Sequence, residues 1–218
     1  MAFFYQHFAS LAIRIIQKYG PHTVEVLGRT YVVTPDVFNP KFYVTSEFMA
    51  RHVRVQPEDE VLDMGTGSGI LAIRAGETAL RVTAVDINPQ AVRCARENAA
   101  RNGLADRISV LQGDLFSDLP SGAQFDVILF SPPYLEGEAK ERLDQALYDP
   151  GKELARRFLK EAESHLKPNG YIQMAYSSIA EPERVLKIAG QLGWSCRVVA
   201  ERKGFVETIY IWKLTRER

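Results

Sequence analysis

The chain has 218 residues, 46% of them hydrophobic and 25% charged, which is enough for one large core-bearing domain and excludes wholesale disorder. Lys plus Arg number 27, as do Asp plus Glu, so the formal net charge is zero. That balance excludes an overall electrostatic coat for DNA, which needs a basic surplus, and leaves room only for a local basic groove.

The chain opens Met1-Ala2-Phe3-Phe4 with no Lys or Arg before the apolar residues, so no secretory leader is expected. The uncharged run ends at Arg14, short of the ~20 apolar residues of a spanning helix, and no membrane association is expected. Phe4, Phe8, Leu11 and Ile15 fall at helical spacing and predict an amphipathic helix. Its apolar face packs on its own domain, with a partner subunit or a second copy as the alternative. Tyr19-Gly20-Pro21 stops that helix. Thr23–Leu27 and Thr30–Val33 read as a hairpin around Gly28-Arg29, and Ser46–His52 as a short helix. Residues 1–40 are therefore read as an N-terminal extension and 41–218 as the main domain.

From residue 60 the period changes. Strands are predicted at Val61–Met64, Arg81–Val85, Ile108–Gln112, Phe125–Phe130 and Tyr171–Tyr176. Helices are predicted at Ile70–Ala75, Pro89–Asn102, Lys152–Leu166 and Glu181–Leu192. Ser195–Glu201 and Thr208–Leu214 follow as two strands whose connection is too short for a crossover, so they must be antiparallel. The expectation is an α/β fold, a doubly wound, mostly parallel seven-stranded sheet with the last strand antiparallel.

Asp63-Met64-Gly65-Thr66-Gly67-Ser68-Gly69 lies between a strand and a helix, at the carboxyl end where ligands bind in such sheets. A dinucleotide site wants Gly-x-Gly-x-x-Gly, yet the third position here is Ile70, which disfavours an oxidoreductase. Asp63 would repel a pyrophosphate and suits the cationic amino-acid tail of S-adenosylmethionine. Asp86, at the next strand end, can accept both ribose hydroxyls, and Asp114 can accept from adenine N6. Each acid could instead cap the helix that follows it, but three at successive strand ends favour the cofactor.

Phe130-Ser131-Pro132-Pro133-Tyr134 ends the fourth strand of the sheet. Two prolines fix the backbone and remove two donors. The Ser131 hydroxyl and the carbonyls of Ser131 and Pro132 then form a ledge of acceptors for both hydrogens of an NH₂ group. Tyr134 supplies a flat face for a planar group. Holding both N–H bonds frees the nitrogen lone pair for in-line attack on a methyl cation donor, so catalysis is mostly positioning and needs no histidine base. A rigid Pro-Pro turn with a packed tyrosine is the plainer reading of the same residues.

Residues from about 40 to 214 resemble the class I S-adenosylmethionine-dependent methyltransferases, and among them the HemK-like protein-(glutamine N5) methyltransferases. The matching pieces include Val61 to Ile70, Ala84-Val85-Asp86-Ile87, Arg96-Glu97-Asn98-Ala99, Gly113-Asp114-Leu115-Phe116 and Pro132-Pro133-Tyr134-Leu135. They continue with Ala146-Leu147-Tyr148, Leu166 to Gly170 and Thr208 to Trp212. The resemblance implies a cofactor site of Thr45, Asp63, Gly65, Thr66, Gly67, Gly69, Asp86, Ile87, Asp114, Leu115 and Ser131. It implies a catalytic segment of Ser131, Pro132, Pro133 and Tyr134, and S-adenosyl-L-methionine as cofactor.

Two departures bear on the acceptor. The family's motif begins with Asn where this chain has Ser131, a form familiar from enzymes acting on exocyclic amines of bases. The release-factor enzymes also carry an N-terminal helical domain, for which this chain has one helix and a hairpin. A protein or small-molecule methyl acceptor is expected, with nucleic acid open, and a partner subunit could supply the missing surface. A scaffold that binds the cofactor without turnover is the non-enzymatic alternative.

Glu136–Glu161 mixes seven acids with six bases, reads as a lid over the acceptor site and does not point to a phosphate backbone. The basic bias of Lys213, Arg216 and Arg218 is too small to argue nucleic acid. Cys94 and Cys196 sit in no CxxC pair, which points to a reducing, cytoplasmic compartment. His7, His22, His52 and His165 are scattered, and no metal is expected.

Overall fold

The computed structural model describes residues 17, 19–137 and 142–216. The expected amphipathic helix over Phe4, Phe8, Leu11 and Ile15 lies outside the described residues. A two-stranded hairpin comes first, β1 (Thr23–Val26) and β2 (Arg29–Val32). Its loop is Leu27-Gly28, with φ of 53° and 74°, one residue earlier than the sequence suggests. Both loop residues take the left-handed conformation of the turn that matches hairpin twist, so Arg29 enters the strand and pairs with Val26.

Helix α1 (Val44–Arg51) leads into the main sheet. There follow β3 (Glu60–Met64), α2 (Ile70–Gly76), β4 (Arg81–Asp86), α3 (Pro89–Arg101), β5 (Ile108–Gln112) and β6 (Phe125–Phe130). A short α4 (Arg142–Gln145) precedes α5 (Glu153–Ala162), β7 (Leu166–Ser177), α6 (Pro182–Gln191), β8 (Trp194–Lys203) and β9 (Thr208–Arg216). The strand order is β5-β4-β3-β6-β7-β9-β8. β3 through β7 pair in parallel, and β9 runs antiparallel to both neighbours, as its short connection to β8 requires.

Each face of the sheet has its own apolar core. Val61, Ala84, Val127 and Ala175 point to the face covered by α1, α2, α3 and the hairpin. Leu62, Ile128, Met174 and Trp212 point to the face covered by α5 and α6. This alternation within buried strands is why β6 is apolar on both sides. Val24, Val26 and Tyr31 of the hairpin belong to the first of these cores.

The boundary between α5 and β7 differs from the sequence reading. The helix ends at Ala162, and β7 starts at Leu166 rather than Tyr171. Lys167-Pro168-Asn169-Gly170 is an irregularity inside the strand. Leu166 pairs with Phe125, the register shifts before Val127, and Asn169 absorbs the bend at φ 71°. A side chain at Gly170 would meet the Phe125 carbonyl oxygen at 2.9 Å, so this strand approach requires glycine. The other end of α5 also differs. Gly151 and Lys152 are left-handed, at φ 66° and 63°, so the helix begins at Glu153.

Candidate active site

The chain runs outward from β3 to β5, then crosses back to β6. Strand order therefore reverses between β3 and β6, the place where open α/β sheets take ligands. Met64, the last residue of β3, pairs with Phe130, the last of β6. The glycine loop and the Ser131 ledge thus leave the sheet side by side. A Cβ at Gly65 would lie 3.8 Å from the Phe130 ring.

Asp63 holds the glycine loop from beneath. Its Oδ2 accepts from the Thr66 hydroxyl at 2.6 Å and from the Ala72 amide at 3.0 Å. Its Oδ1 is buried with no hydrogen-bond partner among the described residues. Burial pushes the Asp63 carboxyl up to about 7, against the pull of Thr66 and Ala72. Asp63 has no exposed surface, so it lies under the loop rather than in its mouth.

Asp86 is only partly buried. Its Oδ2 accepts from Gly67 N at 2.8 Å and its Oδ1 from Asn88 N at 2.9 Å. These bonds tie the glycine loop to β4 and leave each oxygen acceptor capacity for a ligand. Burial raises the Asp86 carboxyl above its ordinary value, and the two amides offset part of that rise. A Cβ at Gly67 would meet nothing within 4 Å, so the loop's tip opens onto free space. Ile87, directly after Asp86, presents a half-exposed apolar side chain at the same edge.

Asp114 lies at the end of β5, where the sequence placed it, but carries a partner the sequence did not suggest. Arg157 on α5 donates to its Oδ2 at 2.9 Å. Leu115 is buried with φ 52°. Thr45, on the first turn of α1, is also buried. Its hydroxyl lies 3.4 Å from the Tyr134 hydroxyl, which joins the expected cofactor side to the expected catalytic segment.

No loop hydrogen bond among the described residues uses the carbonyls of Ser131 or Pro132. The residues just after them are held firmly. Leu135 N donates to Leu147 O and Asp149 N to Leu135 O, both at 2.9 Å. Lys152, with no exposed surface, donates to Tyr134 O at 2.9 Å and pairs with Glu136 Oε1 at 2.8 Å. The Tyr134 ring lies 5.6 Å from Tyr176, which stacks on Trp212. Burial pushes the Tyr134 phenol up to about 12, so it stays protonated near neutral pH and does not serve as a base.

Two supporting residues had no role assigned from the sequence. Asn98, fully buried on α3, donates through Nδ2 to Ser68 O at 2.8 Å and to Val32 O at 2.9 Å. Its Oδ1 accepts from Val32 N at 2.7 Å. It therefore ties the glycine loop, α3 and the hairpin together. Lys152 is the other. Charged residues on both sides of it, Asp149, Glu153, Arg156 and Arg157, gave no sign that it would be buried.

His22, His52 and His165 each contact a backbone carbonyl through Nδ1, at Val33, Phe48 and Ala123. None stands at the ledge. Among the described residues no group of three His, Cys, Asp or Glu is placed to hold a metal, and no helix is long and apolar enough to cross a membrane. A cleft of about 570 Å³ lined by Leu27, Arg51, His52 and Arg74 lies toward the amino ends of the strands, away from these acids.

Residues 29–209 match the family profile described as the methyltransferase small domain. A relative in Methanocaldococcus jannaschii, provisionally named a protein N5-glutamine methyltransferase, is 32% identical over 201 residues. The match takes in 88% of this chain and 99% of that protein. A release factor glutamine methyltransferase of Koribacter versatilis is 32% identical over 203 residues, 82% of this chain and 71% of that protein. Among solved structures, one chain of an E. cuniculi two-protein complex aligns with a TM-score of 0.62 at 22% identity. It covers 84% of this chain and 99% of its own length, and the complex is described as responsible for methylating a translation termination factor.

Proposed function

The chain belongs to the methyltransferase small-domain family, and on that premise we propose that it methylates the side-chain amide nitrogen of a glutamine in a protein of the translation machinery. It is an S-adenosylmethionine-dependent methyltransferase. The observation that carries the acceptor reading is the Met64–Phe130 register, which seats the Ser131-Pro132-Pro133-Tyr134 ledge against the glycine loop.

The residues present fit this cofactor. The partly buried Asp86 suits a ribose diol, and the open space at Gly67 leaves room for a ligand against the loop. The unpartnered Asp63 oxygen adds a buried negative potential suited to a cation. Ile87 lies where a base would pack, and Asp114 could accept from its amine once shared with Arg157. When bound, S-adenosylmethionine supplies a methyl group on a positively charged sulfur. The chain's own task is placement. Ser131 Oγ and the Ser131 and Pro132 carbonyls accept the two amide hydrogens, and Tyr134 covers the amide plane. The ledge holds the nitrogen as it loses planarity, and the surplus proton leaves to solvent after transfer. Each well-aligned acceptor is worth roughly 1–3 kcal/mol.

A nucleobase amine would meet the same acceptors, and Ser131 in place of Asn is the observation favouring it. A partner subunit that completes the acceptor surface also belongs to this reading, supported by the E. cuniculi complex. Cytoplasmic work is supported by two free cysteines, Cys94 and Cys196.

The test is labelled methyl transfer to fractionated lysate, treated in parallel with protease and with nuclease. Label that protease removes, recovered as methylated glutamine, supports the proposal. Label that nuclease removes replaces it with the nucleobase reading. Ser131→Ala should slow transfer about 10–100-fold while leaving cofactor affinity unchanged.

A further inference from the structure

We infer that the β8–β9 turn, Lys203 to Glu207, is a rigid apolar prong that grips the protein acceptor beside its target glutamine. This rests on the protein-acceptor reading above and adds how that acceptor is held.

The turn presents Phe205 fully exposed and Val206 half-exposed. Phe205 buries no surface in the fold, and two adjacent apolar side chains at a turn tip carry an aggregation liability. The turn is nevertheless fixed. Gly204 N donates to Glu207 O at 2.8 Å, and a side chain at Gly204 would meet that same oxygen at 2.8 Å. Ser177 Oγ donates to Glu207 Oε2 at 2.6 Å, and Thr208 N donates to Ser178 Oγ at 2.8 Å. Both anchors come from the carboxyl end of β7. The exposed pair is thus held in place before any partner arrives, which lowers the ordering cost of binding.

Its position gives it a purpose. Ser177 pairs with Ile209, so the turn stands at the same end of the sheet as the ledge. Glu207 is near enough to Tyr134 to raise its phenol, and Tyr134 packs on Tyr176, next to Ser177. The acids expected to hold the cofactor belong to β3, β4 and β5, on the far side of β6. The prong therefore flanks the acceptor half alone. A polypeptide delivering a glutamine amide to Ser131 has to pass this edge, and an apolar side chain close to that glutamine would cover Phe205 and Val206. Small clusters of buried aromatic and aliphatic side chains carry most of the energy of such contacts.

The test uses the full chain with Phe205→Ser and Val206→Ser together. The acceptor is the lysate protein fraction that the wild-type enzyme labels. Both substituted side chains are on the surface, so the fold should survive. The expected result is labelling reduced about tenfold at low acceptor concentration, recovery at saturating acceptor, and an unchanged cofactor Kd by calorimetry. Undiminished labelling at low acceptor would overturn the prong and leave the methyltransferase reading standing. A cofactor Kd weakened as much as labelling would show that the turn acts through the fold, which also overturns it. Wild-type label confined to nuclease-sensitive or low-mass acceptors would overturn the protein-acceptor reading, and the prong's occupant with it.

Discussion

A lysine with no exposed surface must have its charge satisfied inside the protein. Lys152 does this with the Tyr134 carbonyl and Glu136, and so pins the residue after Pro133. Lys152→Met should lower kcat about tenfold or more with little change in cofactor affinity, because the ledge loses its rear support. Breaking a buried pair costs about 3–5 kcal/mol, and Glu136 keeps part of its surface in water, so the loss should fall at the low end. Adding Glu136→Gln should restore melting temperature without restoring kcat, which separates positioning from stability. Asp63 supports a pH prediction. Its folded value, about 7, lies above its ordinary 3.8. The protonated form is therefore favoured by folding. The stability this contributes is complete below the unfolded value and is lost as pH rises through about 7. A cationic ligand favours the carboxylate, so S-adenosylmethionine affinity should rise about tenfold from about pH 6 to about pH 8. Calorimetry across that range should show the rise in wild type and a flat profile in Asp63→Asn.

At the scale of elements, the glycine loop depends on groups far away in the chain. Asn98 reaches Ser68 from α3, and Asp86 reaches Gly67 from β4. Asn98→Ala leaves the Ser68 and Val32 carbonyls and the Val32 amide short of partners. It should destabilise the protein by about 2–3 kcal/mol in denaturant titration and loosen the hairpin to proteolysis. Such long-range contacts explain which parts could be read in advance. β5 and β6 were legible to the residue, because short alternating or apolar runs with a stop signal just beyond them, Gly113 and Pro132, have few alternatives. The doubly wound class followed from strand–helix alternation, and the antiparallel last pair from one short connection. The start of β7 was not legible, since Lys167-Pro168-Asn169-Gly170 is a strong local stop signal. Pairing of Leu166 with Phe125 overrides it, and no local pattern announces that pairing. In the site, the positions of Asp63, Asp86, Asp114 and Ser131 were readable from strand ends. Their partners were not. Arg157 at Asp114, Thr45 at Tyr134 and Lys152 under the ledge are each brought in by packing of distant segments.

At the scale of the whole molecule, the two halves of the sheet should respond separately to ligands. On the proposed reading, the zero net charge conceals a division of labour. Asp63, Asp86 and Asp114 lie at the carboxyl ends of β3, β4 and β5, while the ledge and the exposed turn belong to β6, β7 and the β8–β9 pair. Binding to the folded state alone stabilises by mass action, about 2.7 kcal/mol at a hundredfold excess over Kd. For a domain of this size that is a rise in melting temperature of about 5–10 °C. Wild type should show that rise with S-adenosylmethionine in a thermal scan. With the proposed ribose contact, Asp86→Ala should lose most of it, because about 1.5–3 kcal/mol of charge-assisted hydrogen bonding would be removed. Ser131→Ala and the Phe205→Ser, Val206→Ser pair should keep the full rise while transferring methyl slowly. A Ser131→Ala protein that lost the rise would move Ser131 from the acceptor half to the cofactor half. The ledge would then orient the methyl donor rather than the amide, and substrate choice would have to be sought among residues beyond Tyr134.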